Sequence, residues 1–207
     1  MKLFLYSLNI SHEQCLALNK LVGKDFKDIS FGVIENATDV VPNSEGWVGE
    51  IRESLRHEGY QIEQIDLRNW MNNREALTEK LKHKDVIWLG GGNTFYLRWI
   101  LKETGADDII TDLVRQGKVY AGWSAGAVVA GPTLKFFDGM DDVKDAPEVI
   151  WDGLHLTDIV FVPHADNELF ATEAKKANEQ LKRAGFNALI LADNQAIVID
   201  GEARTII

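Results

Sequence analysis

The chain has 207 residues, 45% of them hydrophobic, and a formal net charge of −10. That is enough chain for one sizeable core, and the charge argues against a nucleic-acid partner. The single cysteine, Cys15, excludes an internal disulfide and a thiolate metal cluster.

The opening MKLFLYSLNIS has neither the h-region nor the cleavage site of a signal peptide, and no apolar run approaches a membrane span. The expectation is a cytoplasmic protein with no membrane partner. Short apolar runs predict strands at 2–7 and 29–34, followed by a helical pattern at 45–57. A strand at 60–67 and a helix at 71–82 come next. A strand at 85–90 then runs into Gly90-Gly91-Gly92, after which helical patterns cover 94–104 and 107–116. The strand at 118–123 leads into Ser124. Residues 134–157 break the rhythm and read as a long irregular loop with an acidic cluster, Asp138, Asp141 and Asp142. Loops of that length in compact domains are commonly functional. A strand at 158–163, a helix at 166–183, and strands at 188–191 and 196–200 complete the chain. The last two strands, separated by ADNQ, read as an edge hairpin. With no linker and no repeat, residues 1–207 read as a single α/β domain, a three-layer sandwich around a mainly parallel central sheet.

Two glycine-rich turns carry the chemistry. Gly122-Trp123-Ser124-Ala125-Gly126 matches G-x-S-x-G between an apolar strand and a possible helix start. One reading makes Ser124 a nucleophile in a strained elbow, with the Ala125 amide facing the same site. The other makes it the N-cap of a small-residue helix. The second turn, GGGNTF at 90–95, is neither G-x-G-x-x-G nor a P-loop, which argues against a nucleotide cofactor. Its exposed amides suit an oxyanion, with Gly91 or Gly92 as donor and Asn93 or Thr94 capping the helix.

A serine hydroxyl needs a base. His164 follows the apolar run DIVFV and a proline at an expected strand end, where open α/β sheets place their ligands. His155 lies in the irregular segment and reads as a surface residue. The base needs an orienting carboxylate, and both Asp193 and the 138–142 cluster are candidates. Placement at a strand end favours Asp193. No cofactor and no metal are expected: H-E-x-x-H is absent, and the acidic cluster does not follow an EF-hand loop.

Together GGGNTF, GWSAGA and VPHAD occur in the order seen in the peptidase E family, the S51 serine peptidases, which the chain resembles from its first strand to its last. The family includes aspartyl dipeptidases and cyanophycinases on a class I glutamine amidotransferase-like fold. The resemblance implies Ser124 as nucleophile, His164 as base and Asp193 as the acidic member. It also implies Gly91 and Ala125 as oxyanion donors, a further acidic residue at Asp138 or Asp141, and a small peptide substrate. The chain departs from the aspartyl dipeptidases in having no arginine between His164 and Lys182. That argues against strict specificity for an N-terminal aspartate. Lys135, Lys175 and Arg98 are the candidate replacement cations. Trp123, Phe136 and Phe137 are candidates for an apolar cleft wall.

Overall fold

Alternation of apolar side chains across the strands builds the layers. In the computed structural model, which describes residues 1–207, nine strands form: β1 (Lys2–Tyr6), β2 (Ser30–Ile34), β3 (Gln61–Gln64), β4 (Val86–Leu89), β5 (Val119–Trp123), β6 (Ile159–Val162), β7 (Asn187–Ile190), β8 (Ala196–Asp200) and β9 (Ala203–Ile206). Seven of them make one sheet in the order β3-β2-β4-β5-β1-β8-β9. The pairings from β3 to β1 are parallel, and β8 and β9 add antiparallel at one edge. The helices are α1 (His12–Val22), α2 (Glu45–His57), α3 (Arg74–Lys82), α4 (Thr94–Glu103), α5 (Ala106–Arg115), α6 (Ala125–Val128) and α7 (Ala171–Arg183).

Leu3, Leu5, Ile87, Leu89 and Tyr120 face one way, into a core shared with α3, α4, α5 and α7. Phe4, Tyr6, Trp88, Ala121 and Trp123 face the other way, toward Leu18 and Leu21 of α1 and Leu55 of α2. Each fully buried large apolar side chain contributes roughly 1.5–3 kcal/mol. The central strands are therefore apolar on both faces, as a helix-covered parallel sheet requires. This is the three-layer α/β sandwich expected. No helix is long and apolar enough to cross a membrane.

Three expectations are corrected. The edge hairpin is β8–β9, not the runs at 188–191 and 196–200. β7 instead pairs in parallel with β6, Ile159 opposite Asn187, in a separate two-stranded sheet. The turn between β7 and β8 is tied to the end of β1, where Leu8 and Asn9 N–H donate to the Asp193 carbonyl at 3.2 and 2.9 Å. Beyond that turn the chain runs on as β8, antiparallel to β1, instead of folding back on β7.

The last helix starts at Ala171, not 166. The Asn167 side-chain oxygen accepts from the amides of Leu169 and Phe170 at 3.0 and 3.3 Å, a local bond that competes with helix formation. Helix α1, absent from the predicted elements, is set by a capping box between Ser11 and Gln14 and by Gly23 in the left-handed region at its end. The segment 134–157 is irregular but not loose. Leu134, Phe137, Leu154 and Leu156 are buried in the core. Asn93, which caps α4, also donates to the Asp142 carbonyl at 2.9 Å and the Asp145 carboxylate at 3.1 Å.

Candidate active site

Ser124 stands where β5 turns into α6. Its backbone lies at φ 48 and ψ −116, a region that a non-glycine residue occupies only under constraint. The constraint comes from the flanking glycines. A Cβ on Gly122 would lie 2.4 Å from the Gly126 carbonyl oxygen, and one on Gly126 would lie 2.1 Å from that of Leu89. The elbow is pinned by the Gly126 amide donating to Gly90 O at 3.1 Å and by the Tyr120 hydroxyl donating to Gly126 O at 2.6 Å.

Gly126→Ala is therefore expected to destabilise the fold by roughly 1–3 kcal/mol or more, because both clashing groups are backbone. In urea the unfolding midpoint should fall with an unchanged slope. An unaltered midpoint would show that the end of β4 gives way freely.

The Ser124 side chain makes no capping bond. Its Oγ lies 2.9 Å from His164 Nε2. His164 follows β6 and Pro163, is buried, and has φ 70. Its amide donates to Ser7 Oγ at 2.8 Å, and its ring lies against Phe170, centroids 5.2 Å apart. His164 Nδ1 lies 2.6 Å from Asp193 Oδ1.

The Asp193 carboxylate accepts from two further donors, Ser7 Oγ at 3.2 Å to Oδ1 and Asn167 Nδ2 at 2.7 Å to Oδ2, and the Asp193 amide donates to Asp166 Oδ1 at 2.8 Å, which fixes the backbone. Burial pushes its carboxyl upward. The hydrogen bonds from His164, Asn167 and Ser7 outweigh burial and hold it below the usual carboxylate range. Ser7 and Asn167 were not singled out in the sequence. Ser7 was visible only as the polar residue closing KLFLYS, and Asn167 was hidden in an expected helix.

The amides of Gly91, Gly92 and Ala125 donate to no protein acceptor. Gly92, at φ 133, lines a cavity of about 380 Å³ together with Ser124, Ala125 and His164. Gly91 lies behind that wall, where a Cβ would sit 2.8 Å from the Trp123 ring. The turn thus presents Gly92, rather than the expected Gly91, to the cavity.

Of the acidic cluster only Asp141 reaches the cavity, where its Oδ2 accepts from the Thr94 amide at 3.0 Å. Burial pushes its carboxyl up, against the opposing pull of that hydrogen bond and of His164. Asp138 is exposed, and Asp142 accepts from the Lys144 amide at 2.9 Å. His155 is exposed, away from the cavity.

No lysine or arginine lines the cavity. Arg98 is engaged by the Asp152 carbonyl at 2.7 Å and Asp107 at 3.0 Å, while Lys135 and Lys175 are exposed outside it. Trp123 and Phe137 form part of the wall, and Phe136 does not. A larger hollow of about 1020 Å³ lies beyond β2 and β3. No histidine lines it to activate its hydroxyls, Thr38 and Ser44, and its guanidinium groups are already paired, Arg52 with Glu35 at 3.2 Å and Arg68 with Asp66 at 2.7 Å.

The family model described as Peptidase family S51 matches residues 17–207. An uncharacterized peptidase of Listeria monocytogenes is 33% identical over 153 residues, 73% of each chain. A peptidase E of Nostoc is 29% identical over 163 residues, 79% of this chain and 62% of its own. Among solved structures, a putative peptidase E protein from Listeria monocytogenes superposes with a TM-score of 0.83 at 29% identity, covering 99% of this chain and 96% of that one.

Proposed function

The chain belongs to peptidase family S51, and on that premise we propose that it hydrolyses short peptides through an acyl-enzyme on Ser124. The observation that carries this reading is the relay Ser124 Oγ–His164 Nε2–Asp193, at 2.9 and 2.6 Å. Asp193 accepts from His164 Nδ1–H and so leaves Nε2 free to take a proton. His164 removes the Ser124 proton as Oγ attacks the peptide carbonyl carbon. The carbonyl oxygen becomes an oxyanion, held by the amides of Ala125 and Gly92.

His164 then gives its proton to the leaving amine, and the C–N bond breaks. A water enters, loses a proton to His164 and attacks the ester carbon. Ser124 leaves with that proton, and the free acid departs. The cavity volume lies at the small end of the range for ligand sites, which supports a short substrate. The acidic composition and lone thiol support a cytoplasmic setting.

A panel of dipeptides tests the reading, read beside labelling of the protein by a fluorophosphonate. The expected result is turnover of at least one dipeptide and one label per chain, on Ser124. Turnover of small esters with every peptide left intact would move the assignment to an esterase.

A further inference from the structure

The serine-peptidase reading leaves open which peptides enter the cleft, and the inference here rests on that reading. The cleft wall is mainly apolar, and besides His164 it carries one ionisable side chain, Asp141. Asp141 Oδ2 is anchored by the Thr94 amide, while Oδ1 accepts from no protein group. At the rim stand Leu8, Trp47, Leu169 and Phe170. Leu169 is 84% exposed and leaves apolar surface open to solvent beside the cleft. No lysine or arginine of the cleft wall faces Asp141.

An anion on an apolar wall is costly unless a counter-charge meets it. The raised carboxyl of Asp141 reflects that cost. A peptide with a free N-terminus carries such a charge, its α-ammonium, next to its first side chain. We propose that the substrate is a short peptide with an unblocked N-terminus and an uncharged, apolar first residue. Asp141 binds its α-ammonium, and the apolar wall takes its side chain. An N-terminal aspartate is disfavoured twice, because no cation receives its carboxylate and Asp141 repels it.

The test measures kcat/KM for leucyl, methionyl and aspartyl 4-nitroanilides, each with a free and an N-acetylated amine, on wild type and Asp141→Asn. The leucyl and methionyl substrates are expected to exceed the aspartyl one. Acetylation should lower wild-type kcat/KM on the order of 30-fold or more, the usual scale for leaving a buried charge unpaired. In Asp141→Asn acetylation should change kcat/KM by less than about threefold, because the interaction it removes is already gone.

Aspartyl preference overturns the proposal, and so does equal turnover of free and acetylated substrates. The wild-type comparison stands even if Asp141→Asn fails to fold. Fluorophosphonate labelling separates the two levels of the argument. A labelled enzyme indifferent to the amine overturns this inference and leaves the peptidase reading in place. A protein neither labelled nor active overturns both.

Discussion

Ser124→Ala is expected to lower kcat on dipeptides by about 10⁶-fold while the protein remains folded. On the proposed mechanism, removing the hydroxyl removes the atom that forms the acyl-enzyme, and no other serine and no cysteine lines the cavity to replace it. The amides of Ala125 and Gly92 remain, so residual hydrolysis through water should persist at the level that oxyanion stabilisation alone supports. The structural effect should be small. Ser124 Oγ has one side-chain partner, His164, and makes no cap, so stability should change by less than about 1 kcal/mol. Single-turnover kinetics and thermal unfolding on the same preparation check both halves. A variant that retains wild-type turnover would remove Ser124 from the mechanism, and one that unfolds would make it a structural residue.

Asp193→Asn should be the next most damaging change, reducing kcat on the order of 10⁴-fold. The carboxylate accepts from donors on both oxygens, His164 and Ser7 at Oδ1 and Asn167 at Oδ2. An amide has one oxygen and one NH₂, so either orientation sets a donor against a donor. If the NH₂ faces His164, it donates to Nδ1, the ring proton moves to Nε2, and the proton acceptor for Ser124 is lost. If it faces Asn167, that bond breaks and the group that holds position 193 loosens.

Asp141→Asn should cost far less, because Asp141 does not touch His164 through a hydrogen bond. A reversed ranking, measured as kcat for both variants on one substrate, would exchange their roles. The depressed carboxyl of Asp193 also sets a pH limit. It is ionised across neutral pH. The stability it contributes is complete above the ordinary carboxylate value and is lost as the pH falls through the lower value of the folded state.

Much of this architecture is written in local pattern. Runs such as VIWL and VYAGW are apolar at every position because helices cover both faces of their sheet, and they appear as strands within a residue of expectation. Strand β9 was not legible. ARTI is exposed along its length and is a strand only because β8 offers it a ladder. The pairing of β7 with β6 was equally hidden, since an apolar run states that it will be buried and not which neighbour it will meet.

The same division runs through the site. By itself the sequence determined the layered α/β class and two glycine turns at strand ends, and it marked Ser124, His164 and Asp193 as the residues able to do serine chemistry. These follow from periodicity and residue type, which are local properties. Only the tertiary structure decided that Ser124 bonds His164 instead of capping its helix, and that Asp193 rather than the 138–142 cluster meets Nδ1. It also decided that Gly92 faces the cavity and that Ser7 and Asn167 brace the carboxylate. Ser7 lies 186 residues from Asp193 along the chain. Contacts between residues that far apart are set by how the strands order themselves in the sheet, and no window of sequence contains that order.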